Sequence, residues 1–465
     1  MPQEGGDSLL AGRHPPPTLS AMRILALDIG SSSVKAGLWT GRAFSAQARV
    51  AFPTHFAGDA AEIDASTLCT AMLRAGEQVL ASGSAIDAIA YCSFSSGVVF
   101  TDRQGKPLTP IITHADRRSS ATALSLVKKR PKSWWLHRTG NLPYPGGIGS
   151  STIAWWRQNH PAVFRRPYRV GQVASFLGSF LTGGLWLTDP SQAVFLGLWD
   201  IRRNGWNDEV CKVVGVSPES LPDCHWADHV LGGLSAAVAR RWNVHAGMPV
   251  LGGFVDTSAA VIQTPMRPGQ LAHNAGSTDV LALCVDRPHP AEGMLSRPVG
   301  VSGKWSGGTP LWLAVRTIAS AGSALEWTQK MLFPGMKDHA WQKLVTSTCK
   351  DLPPMDNQGV QCVPAFAGER ASLTQPAGAS FGGLRLNTSP RAMLQSVIRA
   401  LTMESAKNYA LLARIHAPQR AVFAMGGASA LGNAMHGCWP GKHIYRHLPG
   451  DGLRGLVLLA ERTLG

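Results

Sequence analysis

The chain has 465 residues, of which 45% are hydrophobic and 16% charged, and its formal net charge is +15. This length, about three times that of a typical domain, predicts two domains, and the mixed composition excludes a disordered or fibrous chain. No apolar run reaches the roughly 18 residues that a transmembrane helix needs, so we predict no membrane segment. The basic residues are spread along the chain, which argues against a nucleic-acid partner.

Eight cysteines are scattered without a CxxC pair or the spacing of metal ligands. This pattern favours reduced, structural thiols and a cytoplasmic protein. The N-terminal segment 1–21 is polar, contains consecutive prolines and lacks the apolar core of a secretory signal. We therefore predict a disordered tail there and ordered structure from residue 22 onward.

Strands and helices alternate in the first half of the ordered region. Three strands joined by glycine-containing turns are predicted over 23–51, followed by a helix over 68–80 and an apolar strand over 85–94. The pattern of 150–230 is mostly helical. The next strand, 250–256, ends in an acidic residue.

The second half opens with another predicted hairpin, 270–285, whose turn NAGSTD repeats the pattern of the first turn, DIGSSS. A helix is predicted to begin after Ser389, which has the composition of an N-cap and is followed by proline. A strand over 420–427 and a helix over 452–465 complete the chain. The alternation predicts an α/β protein with two similarly built halves.

Asp28 interrupts the first apolar strand immediately before Gly30 and three serines. A carboxylate buried without a partner is costly, so this position needs an explanation. Backbone N–H groups in such turns can surround phosphate oxygens, and a nearby carboxylate suits Mg²⁺ that is bridged to the phosphates through water. An ordinary tight hairpin with a solvated carboxylate explains the same residues.

Asp256 follows a second apolar strand and precedes Thr257 and Ser258. An enzyme that transfers phosphoryl groups needs a base to accept the proton of the attacking hydroxyl, and Asp256 is a candidate. An acid at a strand–helix junction can also cap the helix. No GxxxxGK[ST] or GxGxxG motif occurs, so a P-loop or a Rossmann dinucleotide site is unsupported.

Six motifs then follow one another along the chain. They are DIGSSSVKAGL (28–38), GVVFTDRQGKPLTPIITHADRRS (97–119), GMPVLGGFVDTSAAVIQ (247–263), NAGSTDVLAL (274–283), PAFAGERAS (364–372) and AMGGASALGNAM (424–435). In this order they resemble the motifs of the FGGY carbohydrate kinases, within the actin-like ATPase superfamily, and especially of the xylulose-kinase-like branch. The resemblance extends over 22–465.

The resemblance implies an α/β fold of two ribonuclease H-like domains with a cleft between them. Residues 22–262 would form the sugar side and 263–465 the nucleotide side. It implies an ATP-dependent sugar kinase in which Asp256 takes the proton from a sugar hydroxyl that attacks the γ-phosphate, while Asp28 helps to hold Mg²⁺. Its implied partners are ATP and a small sugar, and a homodimer stays open.

The same resemblance assigns the binding residues. Those implied to bind ATP and its phosphates are Gly30, Ser31, Ser32, Lys35, Gly276, Ser277, Thr278, Gly426, Gly427, Ala428 and Ser429. Those implied to contact the sugar, besides Asp256, are Ser95, Ser96, Gly97, Asp116 and Arg117. We interpret His114 and the pair Glu369–Arg370 as structural.

One departure from the family pattern concerns the sugar. Ser95, Ser96 and Gly97 stand where the xylulose-kinase-like branch usually has Met-His-Gly, so the expected imidazole is missing. The expected acceptor is a ketose such as xylulose or ribulose. The alternative is a catalytically impaired sugar- or nucleotide-binding regulatory protein of the same fold, against which the retention of Asp28, Asp256 and both turns argues.

Overall fold

The computed structural model describes residues 22–80, 85–166, 168–352, 359–374, 378–427, 429–448 and 452–465. The predicted tail 1–21 and the predicted nucleotide contact Ala428 lie outside the described residues. Among the helices that are described, none combines the length and the apolar character that crossing a membrane requires. All eight cysteines are free thiols.

Strands and helices alternate through both halves. The strands are β1 (Arg23–Ile29), β2 (Ser33–Thr40), β3 (Phe44–Ala51), β4 (His55–Ala57), β5 (Ala60–Ile63), β6 (Ala88–Ser93), β7 (Gly97–Asp102), β8 (Ile111–Thr113), β9 (Tyr168–Gln172), β10 (Leu187–Thr188), β11 (Trp199–Asp200), β12 (Gly205–Trp206), β13 (Asp223–Cys224), β14 (Val230–Gly233), β15 (Pro249–Val255), β16 (Leu271–Ala275), β17 (Asp279–Val285), β18 (Leu295–Pro298), β19 (Trp312–Ile318), β20 (Gln361–Val363), β21 (Ser380–Gly382), β22 (Ala421–Met425) and β23 (Ile444–His447). The helices are α1 (Ala65–Leu80), α2 (Ser120–Lys129), α3 (Lys132–Thr139), α4 (Gly149–Asn159), α5 (Val173–Thr182), α6 (Pro190–Leu196), α7 (Asp208–Val214), α8 (Ala236–Trp242), α9 (Asp256–Val261), α10 (Gly322–Leu332), α11 (Asp338–Lys350), α12 (Pro390–Ala413), α13 (Ser429–Gly437) and α14 (Gly452–Leu464). Short 3₁₀ turns occur at Pro161–Arg165, Pro218–Ser220 and Gly303–Trp305.

Two six-stranded sheets of the same design organise the described residues. The first has the order β14-β15-β6-β1-β2-β3 and the second the order β18-β19-β17-β16-β22-β23. In each sheet three neighbouring strands pair antiparallel, β1-β2-β3 or β16-β17-β19, and the first of them also begins a parallel set, β1-β6-β15 or β16-β22-β23. The sixth strand differs: β14 extends the parallel end of the first sheet, and β18 extends the antiparallel end of the second. The predicted α/β fold of two ribonuclease H-like domains is confirmed.

Strand β1 is buried on both faces, which explains its nearly continuous apolar sequence. Leu25, Leu27 and Ile29 share one core with α1, whereas Ile24 and Ala26 share another with α14. Because side chains alternate along a strand, Asp28 belongs to the face of Ile24 and Ala26. The charged residue that interrupts the apolar run therefore points toward α14.

The second sheet is covered on one face by α12, through Leu271, Leu281 and Tyr409. Its other face packs against the first domain, since Val280 and Val315 belong to the same hydrophobic cluster as Val255. The first sheet uses 23–255 and the second 271–447, and the predicted boundary at residue 262 falls between them. The cleft between the domains therefore lies between this face of the second sheet and the first domain.

Helix α14 lies within the range predicted for the second domain, but it packs on the first sheet. Leu456 and Ala460 join the cluster that contains Ile24 and Ala26. Gly455 is at the closest approach, because a Cβ atom there would lie only 1.6 Å from the carbonyl oxygen of Ala259 in α9. The chain therefore crosses to the second sheet after α9 and returns to the first after β23.

The contact between α14 and α9 predicts that Gly455→Ala destabilises the protein. The added methyl group can be accommodated only if the two helices move apart, and such overpacking typically costs about 1–3 kcal/mol. We expect a lower denaturation midpoint in urea, followed by circular dichroism. The matched control is Gly437→Ala in α13, where a Cβ atom meets no heavy atom within 4 Å. An unchanged midpoint for Gly455→Ala would contradict the packing described.

Candidate active site

The two candidate carboxylates stand at the same edge of the first sheet. Asp28 is near the carboxyl end of β1, and Asp256 directly follows β15. Strand β6 runs parallel between them, with Cys92 opposite Asp28 and Ser93 opposite Val255. At about 4.8 Å per strand, the backbones that carry the two acids are roughly 10 Å apart.

Asp256 is the first residue of α9, and one of its carboxylate oxygens is held by hydrogen bonds. Its Oδ1 accepts hydrogen bonds from the backbone N–H of Thr257 at 2.6 Å and from the Thr257 hydroxyl at 3.1 Å. No described residue donates a hydrogen bond to Oδ2. Burial raises the pKa of Asp256, opposed by the hydrogen bonds from Thr257 and by the charges of Arg370 and Arg297. The N-cap of α9 is Val255, which makes no side-chain cap bond, so the bonds from Thr257 fix Oδ1 of Asp256 without capping the helix and leave Oδ2 for the role of base.

Asp28 is 7% exposed and has polar neighbours on three sides. The Lys35 ammonium lies 3.5 Å from Oδ2, and the Cys92 thiol donates to Oδ1 at 3.5 Å. A Cβ atom on Gly452 would lie 3.1 Å from Oδ2, so the first residue of α14 sits against the carboxylate. The positive end of the dipole of that helix therefore lies beside a carboxylate.

The pKa of the Cys92 thiol is affected by both acids. Its pKa is raised well above that of a free thiol by burial first, and then by the charges of Asp28 and Asp256. The thiol therefore stays protonated and serves as a hydrogen-bond donor. The neutral side chain on β6 separates the two carboxylates.

The first predicted phosphate turn closes the β1–β2 hairpin. The N–H of Gly30 donates to the carbonyl of Ser33 at 3.0 Å, and the carbonyl of Ser32 accepts from Phe52 at 3.1 Å. The turn is therefore fixed at both sides of Ser31, whose side chain remains available. Ser31 lines the cavity described below.

The second predicted phosphate turn is held against the start of α10. The N–H of Gly276 donates to the carbonyl of Thr278 at 2.9 Å, and the carbonyls of Gly276 and Ser277 accept from Gly322 and Ala321 at 3.0 and 2.8 Å. A Cβ atom on Gly322 would lie 2.6 Å from the Gly276 carbonyl oxygen. Only glycine allows this approach without a shift of the turn.

The predicted adenosine loop follows β22, next to the end of β16. Gly426 has a φ of 95°, and a Cβ atom there would lie 2.3 Å from the Ala275 carbonyl oxygen. Gly426, Gly427 and Ser429 are exposed, and Ser429 begins α13. The close contact at Gly426 holds this loop beside the second phosphate turn.

A cavity of about 80 Å³ lies between the two sheets at this edge. It is lined by Ser31 from the first turn, Thr278 from the second and Asp256, together with Ser95 from the segment after β6. The structure thus brings together one residue from each phosphate turn, the candidate base and one of the predicted sugar contacts. These are the parts that a phosphoryl-transfer site requires.

Other predicted sugar contacts do not line this cavity. The Asp116 carboxylate pairs with Arg118 at 2.7 Å and accepts from the N–H of Ala61 at 3.1 Å. The Arg117 guanidinium donates to backbone carbonyls, including those of His114 at 2.7 Å and Pro145 at 3.1 Å. In this structure both side chains fix the backbone around the cavity instead of facing it.

Two further predicted sugar contacts, Ser96 and Gly97 of the triplet Ser95-Ser96-Gly97, are also buried in the protein. Ser96 is 1% exposed, and its hydroxyl has no partner among the described residues. The N–H of Gly97 donates to the side-chain oxygen of Gln172 at 2.7 Å. Only Ser95 of the triplet lines the cavity.

The cavity also contains side chains that sequence reasoning set aside or missed. We interpreted His114 as structural, but it lines the cavity, and its Nδ1 is buried without a partner among the described residues. Arg370 was expected to pair with Glu369, yet its Nη2 donates to the Ser95 carbonyl. Arg297 reaches the cavity from β18. The signal for Arg297 was a charged residue inside a strand, LSRP, just as Asp28 was signalled by a charge inside the strand RILALDI.

Comparison with known proteins identifies the family of the chain. Residues 23–263 match the FGGY family of carbohydrate kinases, N-terminal domain, and 272–436 match its C-terminal domain. A glycerol kinase of Rhizobium meliloti (strain 1021) is 28% identical over 400 residues, covering 82% of this chain and 77% of the relative. An L-fuculokinase of Escherichia coli (strain K12) is 23% identical over 351 residues, covering 74% and 70%.

Solved structures share the fold over nearly the whole chain. A xylulose kinase from Rhodospirillum rubrum has a TM-score of 0.80 at 23% identity and covers 95% of this chain and 90% of its own. A Plasmodium falciparum glycerol kinase with ADP has a TM-score of 0.80 at 18% identity and covers 96% and 90%. With both domain families matched in order, this chain belongs to the FGGY family of carbohydrate kinases.

Proposed function

We propose that this protein transfers the γ-phosphoryl group of ATP to a hydroxyl of a small sugar, with Asp256 as the general base. The observation that supports this most directly is the shared cavity, which Asp256 lines together with Ser31 and Thr278. A base beside two turns that can hold phosphates is the arrangement that in-line transfer needs. The proposal therefore rests on position as well as on residue type.

The environment of Asp256 suits proton transfer. Thr257 fixes Oδ1 and thereby orients Oδ2, the oxygen that would accept the hydroxyl proton. Burial raises the pKa of Asp256. A carboxylate with a raised pKa is a stronger base than an exposed one, provided that it is still ionised at the working pH.

ATP would lie along the second sheet. The turns at Gly30–Ser32 and Gly276–Thr278 would surround its phosphates, with Lys35 as a nearby positive charge, and the exposed loop at Gly426, Gly427 and Ser429 would border the adenosine. Backbone N–H groups in such turns are fixed donors and need no reorganisation when the phosphoryl group moves.

Asp28 fits a Mg²⁺ site that is completed by phosphates. Among the described residues, no group of three or more His, Cys, Asp or Glu side chains could hold a metal by itself. Mg²⁺ in kinases is usually bound by one or two carboxylates plus substrate phosphates, so a single buried carboxylate beside the first turn is sufficient. When bound, the ion would neutralise charge on the phosphates. Lys35 and the start of α14 would hold the Asp28 carboxylate in place.

For the acceptor we propose a ketose such as xylulose or ribulose, as the family resemblance implies. His114 lines the cavity and supplies an imidazole near the place where the one expected at position 96 is missing. Its Nδ1 is buried without a partner among the described residues. Burial and the charges of Arg370 and Arg117 lower the pKa of His114 well below its usual value, so the ring is neutral at physiological pH. A neutral imidazole can donate to one hydroxyl and accept from another.

A coupled assay of ADP release tests the proposed function. With ATP and Mg²⁺, we expect turnover with at least one acceptor in a panel of ketoses, aldoses, polyols and sugar acids, and only slow ADP release without acceptor. ATP binding is measured separately by calorimetry. Measurable ATP binding with no turnover on any acceptor would contradict the proposal and favour the regulatory alternative.

A further inference from the structure

Two arginines reach the cavity beside Asp256 from the second domain. Arg297 extends from β18, and Arg370 extends from the segment between β20 and β21. Neither guanidinium forms an ion pair with a carboxylate of any described residue, although the charge of Asp256 acts on both. Arg297 is buried and Arg370 is partly buried. Arginines removed from water without a contacting anion are rare, because removing a charge from water is costly.

The hydrogen bonds of Arg297 leave much of its guanidinium unused. The residue is 2% exposed, and its Nη1 donates to the Ser258 hydroxyl at 2.6 Å and to the Pro298 carbonyl at 3.1 Å. No described residue accepts from its Nε or Nη2. A guanidinium carries five N–H donors, so those at Nε and Nη2 remain available to a ligand.

Arg370 also has N–H donors that no described residue uses. Its Nη2 donates to the Ser95 carbonyl, while its Nε is buried without any partner among the described residues. The bond to Ser95 crosses from the second domain to the first and holds the guanidinium over the cavity. An unsatisfied buried donor of this kind is expected where a ligand completes the site.

The charges around the cavity do not balance. Burial lowers the pKa of Arg297 and of Arg370 to about 10, so both stay charged at neutral pH. His114 is neutral, and Asp256 is the acid that lines the cavity. Asp189 also acts on Arg297, but burial raises the pKa of Asp189 to about 7, and its oxygens accept from Ser191 and Gln192. The cavity therefore carries an excess positive charge.

We propose that Arg297 and Arg370 form an oxyanion subsite beside Asp256. The oxyanion is either the phosphoryl group during its transfer, which is compatible with the ketose acceptor proposed above, or a carboxylate on the acceptor, in which case the acceptor is a sugar acid in place of that ketose. Both present oxygens in a geometry that guanidinium groups bind well. The subsite rests on the proposed kinase function and adds to it the chemistry of the group that lies opposite the base.

The test uses Arg297→Gln and Arg370→Gln, with Arg370→Lys as a variant that keeps the charge but loses the planar fork. The matched control is Arg316→Lys, a partly buried arginine on β19 that bonds to Asn408 outside the cavity. For each protein, kcat and KM are measured with an aldonate and with the alditol of the same carbon skeleton, such as gluconate and glucitol. This pair differs only in the carboxylate.

If the acceptor supplies the oxyanion, the wild type prefers the aldonate, and each Gln variant raises KM for the aldonate by about 10–100-fold with little change for the alditol. If the phosphoryl group is the oxyanion, kcat falls by a similar factor with every acceptor and KM changes little. Gln variants that match the Arg316→Lys control in both parameters and with all acceptors would overturn the subsite.

A binding measurement separates this inference from the proposed function. With ADP saturating, inorganic phosphate should raise the melting temperature of the wild type and of Arg316→Lys, but should bind the Gln variants at least about 10-fold more weakly. Wild-type protein that turns over no acceptor but shows this difference would defeat the kinase proposal and retain the subsite. Equal phosphate affinity in all variants would remove the subsite even in an active kinase.

Discussion

Asp256→Asn should lower kcat for acceptor phosphorylation by about 10²–10⁴-fold while leaving ATP affinity close to that of the wild type. Asparagine has the same shape and its side-chain oxygen can still accept from Thr257, so α9 keeps its first turn. What disappears is the oxygen that accepts the hydroxyl proton. The measurement is acceptor-dependent ADP release at saturating ATP, with ATP affinity from calorimetry. Near wild-type turnover by Asp256→Asn would exclude Asp256 as the base.

The pH profile gives an independent check on the same residue. A general base works in its deprotonated form, so activity is present above its pKa and falls as the pH drops through it. Burial raises the pKa of Asp256. The acidic limb of kcat/KM should therefore lie above the value of about 4 typical of an exposed aspartate, and it should vanish in the residual activity of Asp256→Asn.

Asp28→Asn should lower kcat by about 10–100-fold and raise the Mg²⁺ concentration needed for half-maximal activity. This magnitude is typical for groups that position a metal through water or through its ligands. The variant also removes a partner of Lys35 and a negative charge at the start of α14, so its melting temperature must be measured too. The matched control is Asp87→Asn, because Asp87 accepts from the N–H of Arg23 at the other end of β1.

The outcome for Asp28 distinguishes two roles. A shift in Mg²⁺ dependence with little loss of stability supports a carboxylate on the metal side. A loss of stability with unchanged Mg²⁺ dependence would mean that Asp28 serves only to hold Lys35 and α14. Asp87→Asn should change neither the Mg²⁺ dependence nor kcat.

The sheets were predictable from the sequence because their central strands are buried on both faces. Runs such as RILALDI and VLGGFVD carry that burial directly in their composition, and an acid at the end of each run marks the edge where the cavity lies. The place of α14 was not predictable in this way. The apolar pattern of α14 does not indicate which sheet it covers, and its packing on the first sheet depends on a close approach between Gly455 and Ala259, nearly 200 positions earlier.

Several residues of the cavity could not be predicted from the sequence either, because their positions depend on contacts between distant parts of the chain. Asp116 and Arg117 belong to a recognisable motif, but hydrogen bonds with Arg118 and with backbone carbonyls occupy them. His114 and Arg370 looked ordinary because neither stands in a pattern of its own. They matter because the tertiary structure brings His114, which follows β8, and Arg370, which lies between β20 and β21, to the same cavity. No local sequence pattern shows that proximity.

The return of α14 to the first sheet has a mechanical consequence. The two halves are joined by two chain segments, one between α9 and β16 and the other between β23 and α14. A single linker would let one half swing in any direction relative to the other. Two connections therefore constrain the relative position of the halves more than one connection would.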